Sequence, residues 1–138
     1  MDRPDSVSID KHGNSISVDS HGNVVVVHLV GEHDVSTVTE LRAALEALPP
    51  SPAVVISLAE TTFLDSSVVH TLIATDNKLR RRDQQLVLHI PTPSLAERVM
   101  QASQPEAPIP LVPSLGAAIQ LASEAAPILG EQDMERTD

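Results

Sequence analysis

Cysteine is absent from the 138 residues, which excludes a disulfide framework and any thiol nucleophile. Tryptophan and tyrosine are also absent, and Phe63 is the single aromatic among Phe, Tyr and Trp. A core must therefore be built from Val, Leu, Ile and Ala, and base-stacking platforms for single-stranded nucleic acid are almost missing. Basic residues are scarce: nine against nineteen acidic ones, for a formal net charge of -10. That balance disfavours DNA, RNA and anionic membrane surfaces as partners. No long apolar run occurs. The longest, VVVVHLV at 24–30, falls well short of the ~20 residues of a membrane span. The first residues, MDRPDSV, lack an apolar signal core. The expectation is a soluble, cytoplasmic protein.

What is present suffices for one domain. A chain of this length with 41% hydrophobic residues can bury a core without metal or disulfide. Residues 1–5 read as a disordered tail, 6–126 as the domain and 127–138 as a polar, acidic tail. The triplet His-Gly-Asn occurs at 12–14 and again at 21–23, and such triplets supply the positive φ of tight hairpin turns. Val7, Ile9, Ile16 and Val18 alternate with polar residues around them, so the first thirty residues read as hairpins ending in a strand at 24–30. Two further apolar runs, AVVISL at 53–58 and QLVLHI at 85–90, are strands, the first continuous enough to be central. Helices are expected in between. STVTELRAALEAL carries Thr37 and Glu40 at capping-box spacing, and proline stops it at 49–52. SSVVHTLIATDNKLRRRD follows Asp65 as a cap and ends in Arg80–Arg82, where cations suit the helix dipole. Residues 94–102 and 114–125 give two more helices, with a short extended piece near 109–112 between them. The sum is an α/β fold: a mixed sheet with helices packed mainly on one face. In such sheets functional groups collect beyond the carboxyl ends of the strands, here at 31–35 and in a loop at 59–65.

Those two loops carry GEHDV and FLDSSVV. Ser66 and Ser67 open a helix, where free N–H groups and the dipole receive an anion well. A phosphate at Ser66 would bring roughly -1.5 to -2 charges next to Asp65 and Asp34. Spacing alone favours the plainer reading of Ser66 and Ser67 as cap and first-turn residues, since serine is common at helix starts. Taken together, GEHD, a helix, VVISL and then DSS at a helix start resemble the STAS domain family, and within it the free-standing bacterial anti-sigma factor antagonists. The resemblance spans roughly residues 6–125. It implies a partner-switching cycle. The unmodified protein binds an anti-sigma factor, which is also a serine kinase; the kinase phosphorylates Ser66 (with Ser67 as the alternative) and ends binding; a serine phosphatase reverses the step. The implied partner surface is Glu32, His33, Asp34, Asp65, Ser66, Ser67 and Val68. No cofactor, metal or catalytic residue is implied, and assembly with itself or other STAS proteins stays open. The sequence departs from the family pattern in places: Val68 stands where it has glycine, His33 where it has leucine, and Val69 and His70 are also unusual.

Two other readings compete. His33, His70, Asp34, Asp65 and Ser66 could be composed into a Ser-His-Asp set or a metal site, but DSSVV is not a nucleophile elbow, and exposed histidine is the ordinary reading of His33 and His70. A sensing or scaffold module that binds a nucleotide or other ligand, or assembles a stress complex, would need no phosphorylation; the chain has no glycine-rich phosphate loop. His28 and His89 alternate with apolar neighbours on strands and are expected to face away from the main core.

Overall fold

The structure, a computed structural model, describes residues 6–9, 14–48, 53–102 and 109–125. The expected tails, the turn at 12–13 and the proline stop at 49–52 lie outside the described residues. Strand β1 (Ser6–Ile9) and strand β2 (Ser15–His21) lead into β3 (Val24–His33). Helix α1 (Val38–Glu46) follows, then β4 (Ala53–Ser57), β5 (Thr61–Leu64) and α2 (Ser66–Arg81). The chain continues through β6 (Gln85–His89), α3 (Leu95–Ala102), β7 (Leu111–Val112) and α4 (Leu115–Ala125). The described strands form one mixed sheet in the order β1-β2-β3-β4-β6-β7, with β5 off the path on β3. The first two pairings are antiparallel and the rest parallel.

The β2–β3 hairpin turns at Gly22, whose φ of 64° a residue with a side chain adopts only at a cost. The parallel strands β4 and β6 lie inside the sheet, and every β4 side chain is buried, as a near-continuous apolar run requires. The main core lies on one face. It joins Val25, Val27, Leu29, Val54, Ile56, Leu86 and Leu88 of the sheet to Val38 and Leu41 of α1, Val68, Val69 and Leu72 of α2 and Met100 of α3. The opposite face buries Val24, Val26, Ala53, Val55 and Val87 under Ala118 and Ala122 of α4. Three helices thus share one face and the last helix covers the other.

Three local readings need revision. The segment 59–65 is not all loop, since Thr61–Leu64 is a strand parallel to the far end of β3. β3 pairs with β4 as far as His28 and with β5 from Gly31 on, and the β3–β5 register shifts between Gly31 and Glu32. Gly31 has φ 93°, and a Cβ there would collide with the Asn14 side chain, whose oxygen accepts from the Glu32 N–H at 2.8 Å. Thr37 makes no side-chain cap to α1. A 3-10 turn, Val35–Thr37, precedes that helix and is capped by Asp34, while the Thr37 hydroxyl donates back to the Asp34 carbonyl at 3.1 Å. Turned toward the Asp34 carbonyl and the His33 ring, that hydroxyl faces no α1 amide.

Candidate functional site

Two Asp-x-Ser segments meet at the carboxyl ends of β3 and β5, each built the same way. In the first, Asp34 Oδ1 accepts from the Ser36 N–H at 2.9 Å and from its hydroxyl at 2.6 Å. In the second, Asp65 Oδ1 accepts from the Ser67 N–H at 3.0 Å, from its hydroxyl at 2.5 Å and from the Val68 N–H at 3.2 Å. The second cap starts α2 because an N-terminal carboxylate satisfies amides that have no intrahelical partner and meets the positive end of the helix dipole. The other Asp65 oxygen accepts from the Val35 N–H at 3.2 Å. One carboxylate therefore ties the first loop to the start of α2. Burial pushes the Asp65 pKa up, but the bonds from the Ser67 hydroxyl and from the Val68, Ser67 and Val35 amides outweigh it and hold the group below its ordinary value.

The middle residues of the two segments, Val35 and Ser66, both project outward. Val35 is 71% exposed. Ser66 is exposed, and its hydroxyl has no hydrogen-bond partner among the described residues. Ser67 differs, since its hydroxyl is already given to Asp65. A reagent approaching this helix start meets one free hydroxyl and one engaged hydroxyl. Phe63, 43% exposed, is paired across the β3–β5 ladder with the exposed Glu32. The only aromatic of the chain thus stands two residues before the Asp65 cap, on the same rim. Val35 and Phe63 are two of the three exposed large hydrophobic side chains among the described residues, Leu121 being the third.

Of the residues expected at this site, Glu32, Asp34, Asp65, Ser66 and Ser67 come together at the rim. Two point inward. Val68 is fully buried in the main core, so its side chain places no bulk over Ser66. His33 is 1% exposed, which corrects the expectation of a solvent-exposed ring. Its Nε2 lies 3.0 Å from the Val30 carbonyl and its Nδ1 3.3 Å from the Thr37 hydroxyl. Its backbone carbonyl accepts from the Asp65 N–H at 3.3 Å. His33 therefore braces the first loop from beneath, in place of the leucine of the family pattern. His70 is exposed one turn along α2 from Ser66. Among the described residues no group of three or more His, Cys, Asp and Glu side chains could hold a metal ion. No helix among them is long and apolar enough to cross a membrane. Val35 and Phe63 were not legible as site residues, because an exposed apolar residue is by itself unremarkable; the repeated Asp-x-Ser spacing was the available signal for Val35.

Comparison with known proteins bears on the fold and the family. An anti-sigma factor antagonist from Mycobacterium paratuberculosis superposes with a TM-score of 0.69 at 27% identity, over 89% of this chain and 99% of that one. The anti-sigma factor antagonist SpoIIAA shares the fold in its unphosphorylated form, with a TM-score of 0.58 at 21% identity over 76% of this chain and 94% of that one. The phosphorylated form of the Bacillus cell fate determinant SpoIIAA gives 0.59 at 21%, over 76% and 96%. No curated protein matches the sequence. The family model described as "Mlab, STAS domain" matches residues 16–104, well over half the chain and both Asp-x-Ser segments. The chain belongs to the STAS domain family.

Proposed function

We propose that this protein is an anti-sigma factor antagonist: it binds an anti-sigma factor that is also a serine kinase, and phosphorylation of Ser66 ends the complex. The observation that carries the reading is the contrast between the two serines. Ser66 offers a free, solvent-facing hydroxyl beside an apolar rim, whereas the Ser67 hydroxyl is held by Asp65 at 2.5 Å. The antagonist relatives of the same fold, one of them in a phosphorylated form, support it.

The physical consequence of modification follows from the neighbourhood. Asp65 already occupies the Ser67 and Val68 amides, so a phosphate on Ser66 could not settle into the helix start without displacing that carboxylate. It would remain at the rim, a dianion beside Asp65, Asp34 and Glu32, and strip a partner of the neutral contact made by Ser66, Val35 and Phe63. The protein acts as ligand and substrate in this scheme; ATP belongs to the kinase, and a separate serine phosphatase resets the cycle.

The test is co-purification from the native cell with the wild-type, Ser66→Ala and Ser66→Asp forms. The Ser66→Ala form should retain an anti-sigma factor and the Ser66→Asp form should lose it. Equal capture by all three removes the switch. Intact-mass and fragment analysis after incubation with the captured kinase should place one phosphate on Ser66, and a phosphate on Ser67 alone would contradict the assignment.

A further inference from the structure

The far end of β3 outruns its neighbour on one side. The β2–β3 ladder stops at the Ser15–Val30 pair, so the Glu32 amide lies beyond it. Toward β5 the same stretch is well held. The Gly31 N–H donates to the Glu60 carbonyl at 2.9 Å, and the Thr61 hydroxyl donates to the Leu29 carbonyl at 2.7 Å. Glu32 and His33 then run in register with Phe63 and Leu64. Toward β2 the Glu32 N–H meets a side chain instead of a strand: Asn14 Oδ1 accepts it at 2.8 Å. A backbone N–H needs an acceptor, and here an amide oxygen stands in for a ladder carbonyl.

Asn14 fits closely. It directly precedes β2 and is half-buried, and its side chain fills the space in which a Cβ of residue 31 would stand. Gly31 turns the chain there at φ 93°. The pair is complementary: glycine leaves the room, and Asn14 fills it with an acceptor. What the acceptor fixes is the rim. Glu32 is the ladder partner of the exposed Phe63, and His33, Asp34 and Val35 follow it directly. Asn14 lies before the residues 16–104 that the family model matches, so this brace comes from outside the segment on which family membership rests.

We propose that Asn14 is a positioning residue of the partner-binding rim: its side-chain oxygen replaces a missing strand carbonyl and holds Gly31–Val35 in the form that the anti-sigma factor meets. The identity of that partner rests on the antagonist reading; the brace itself rests on the contacts above. A loop ordered before the encounter loses less freedom on binding. Without Asn14 the stretch keeps its bonds to β5 and Asp65 but loses this hold toward β2, and the partner must then order Glu32 and Val35 itself. Ser66 stands at the start of α2, whose cap is Asp65 and does not involve Asn14. Losing the brace therefore weakens recognition and leaves the reacting hydroxyl in place. An exposed hydrogen bond adds little to global stability, so the effect belongs at the rim and not in the unfolding midpoint.

Two measurements on the full chain test this. In native-state hydrogen exchange, Asn14→Ala should speed the Glu32 amide by roughly tenfold or more and the Val35 amide by roughly threefold or more, with α2 changed less than about twofold. Asn14→Asp keeps an acceptor oxygen and should match the wild type at both amides. Acceleration confined to Glu32, or spread equally over α2, overturns the positioning role, and so does an unprotected Glu32 in Asn14→Asp. In the second measurement, the kinase captured by the Ser66→Ala form phosphorylates wild-type protein and Asn14→Ala. For Asn14→Ala, KM should rise by roughly fivefold or more while kcat stays within about twofold. An unchanged KM, or a fall in kcat of that size, overturns the proposal. If no form captures a kinase, the antagonist reading fails by itself, and the exchange rates alone decide whether Asn14 positions the rim.

Discussion

Replacing Val68 with glycine restores the residue that the antagonist pattern carries after Asp-Ser-Ser and tests where the Val68 side chain goes. The isopropyl group is fully buried among α2 and the sheet. Burying a side chain of this kind is worth roughly 1.5–3 kcal/mol, and the cavity left behind adds to the loss. Glycine in a helix gives up a further ~0.5–1 kcal/mol of backbone entropy. The sum is about 3 kcal/mol, a large part of the roughly 5–15 kcal/mol that holds a domain together. Urea unfolding followed by far-UV circular dichroism measures it, since the chain has no tryptophan or tyrosine to report by fluorescence. The midpoint should fall with an unchanged m-value. A loss below about 1 kcal/mol would refute the placement of Val68 in the core. Phosphorylation of Ser66, where the kinase is in hand, should change less than threefold in the folded variant, because removing an inward side chain alters nothing that the kinase meets. A tenfold gain would show that the valine obstructs the kinase after all.

Asp65→Ala removes the α2 cap and the tie to Val35 together; the cap alone is worth about 0.5–2 kcal/mol, and exchange at the Val35 amide should rise more than at α2. Asp65 also sets an acid limit. Its pKa is held down in the folded state, so its contribution is present above the ordinary carboxylate value of 3.8 and lost as pH falls through the folded value; a Ser67→Ala variant should unfold at higher pH on acid titration. Asp76 is the opposite case: burial raises its pKa although the Arg80 guanidinium stands 2.8 Å away and lowers it. Asp76→Asn should then cost less than about 1 kcal/mol in denaturant unfolding, since desolvation offsets much of a buried pair; a loss above 2 kcal/mol would show the ion pair to be strongly favourable. Gly31→Ala should destabilise by roughly 2 kcal/mol or more in the same assay, from positive φ and the clash with Asn14.

The long apolar runs made β3, β4 and β6 readable, and Asp-Ser-Ser made the start of α2 readable, because burial on both faces and capping leave local marks. β5 left none. TTFL is four residues long with a single buried side chain, and it becomes a strand only because β3 runs on beyond its pairing with β4 to meet it. Burial of His33 is equally tertiary: nothing in GEHD says that the ring turns down toward Val30 and Thr37. The Thr37 cap failed for a local reason, since its hydroxyl donates to the Asp34 carbonyl and meets the His33 ring. At the site, the acidic residues and the serines were legible from type and spacing. The apolar half of the rim was not, since Val35 and Phe63 acquire meaning only from the neighbours that folding gives them.

Phe63 also makes the protein optically dark in a useful way. With no other aromatic in the chain, a Phe63→Trp variant would carry its entire near-ultraviolet absorbance and emission at one half-exposed position, two residues before the Asp65 cap. Whatever settles on that rim would be read as a blue shift from a single lamp, with no other emitter in this chain.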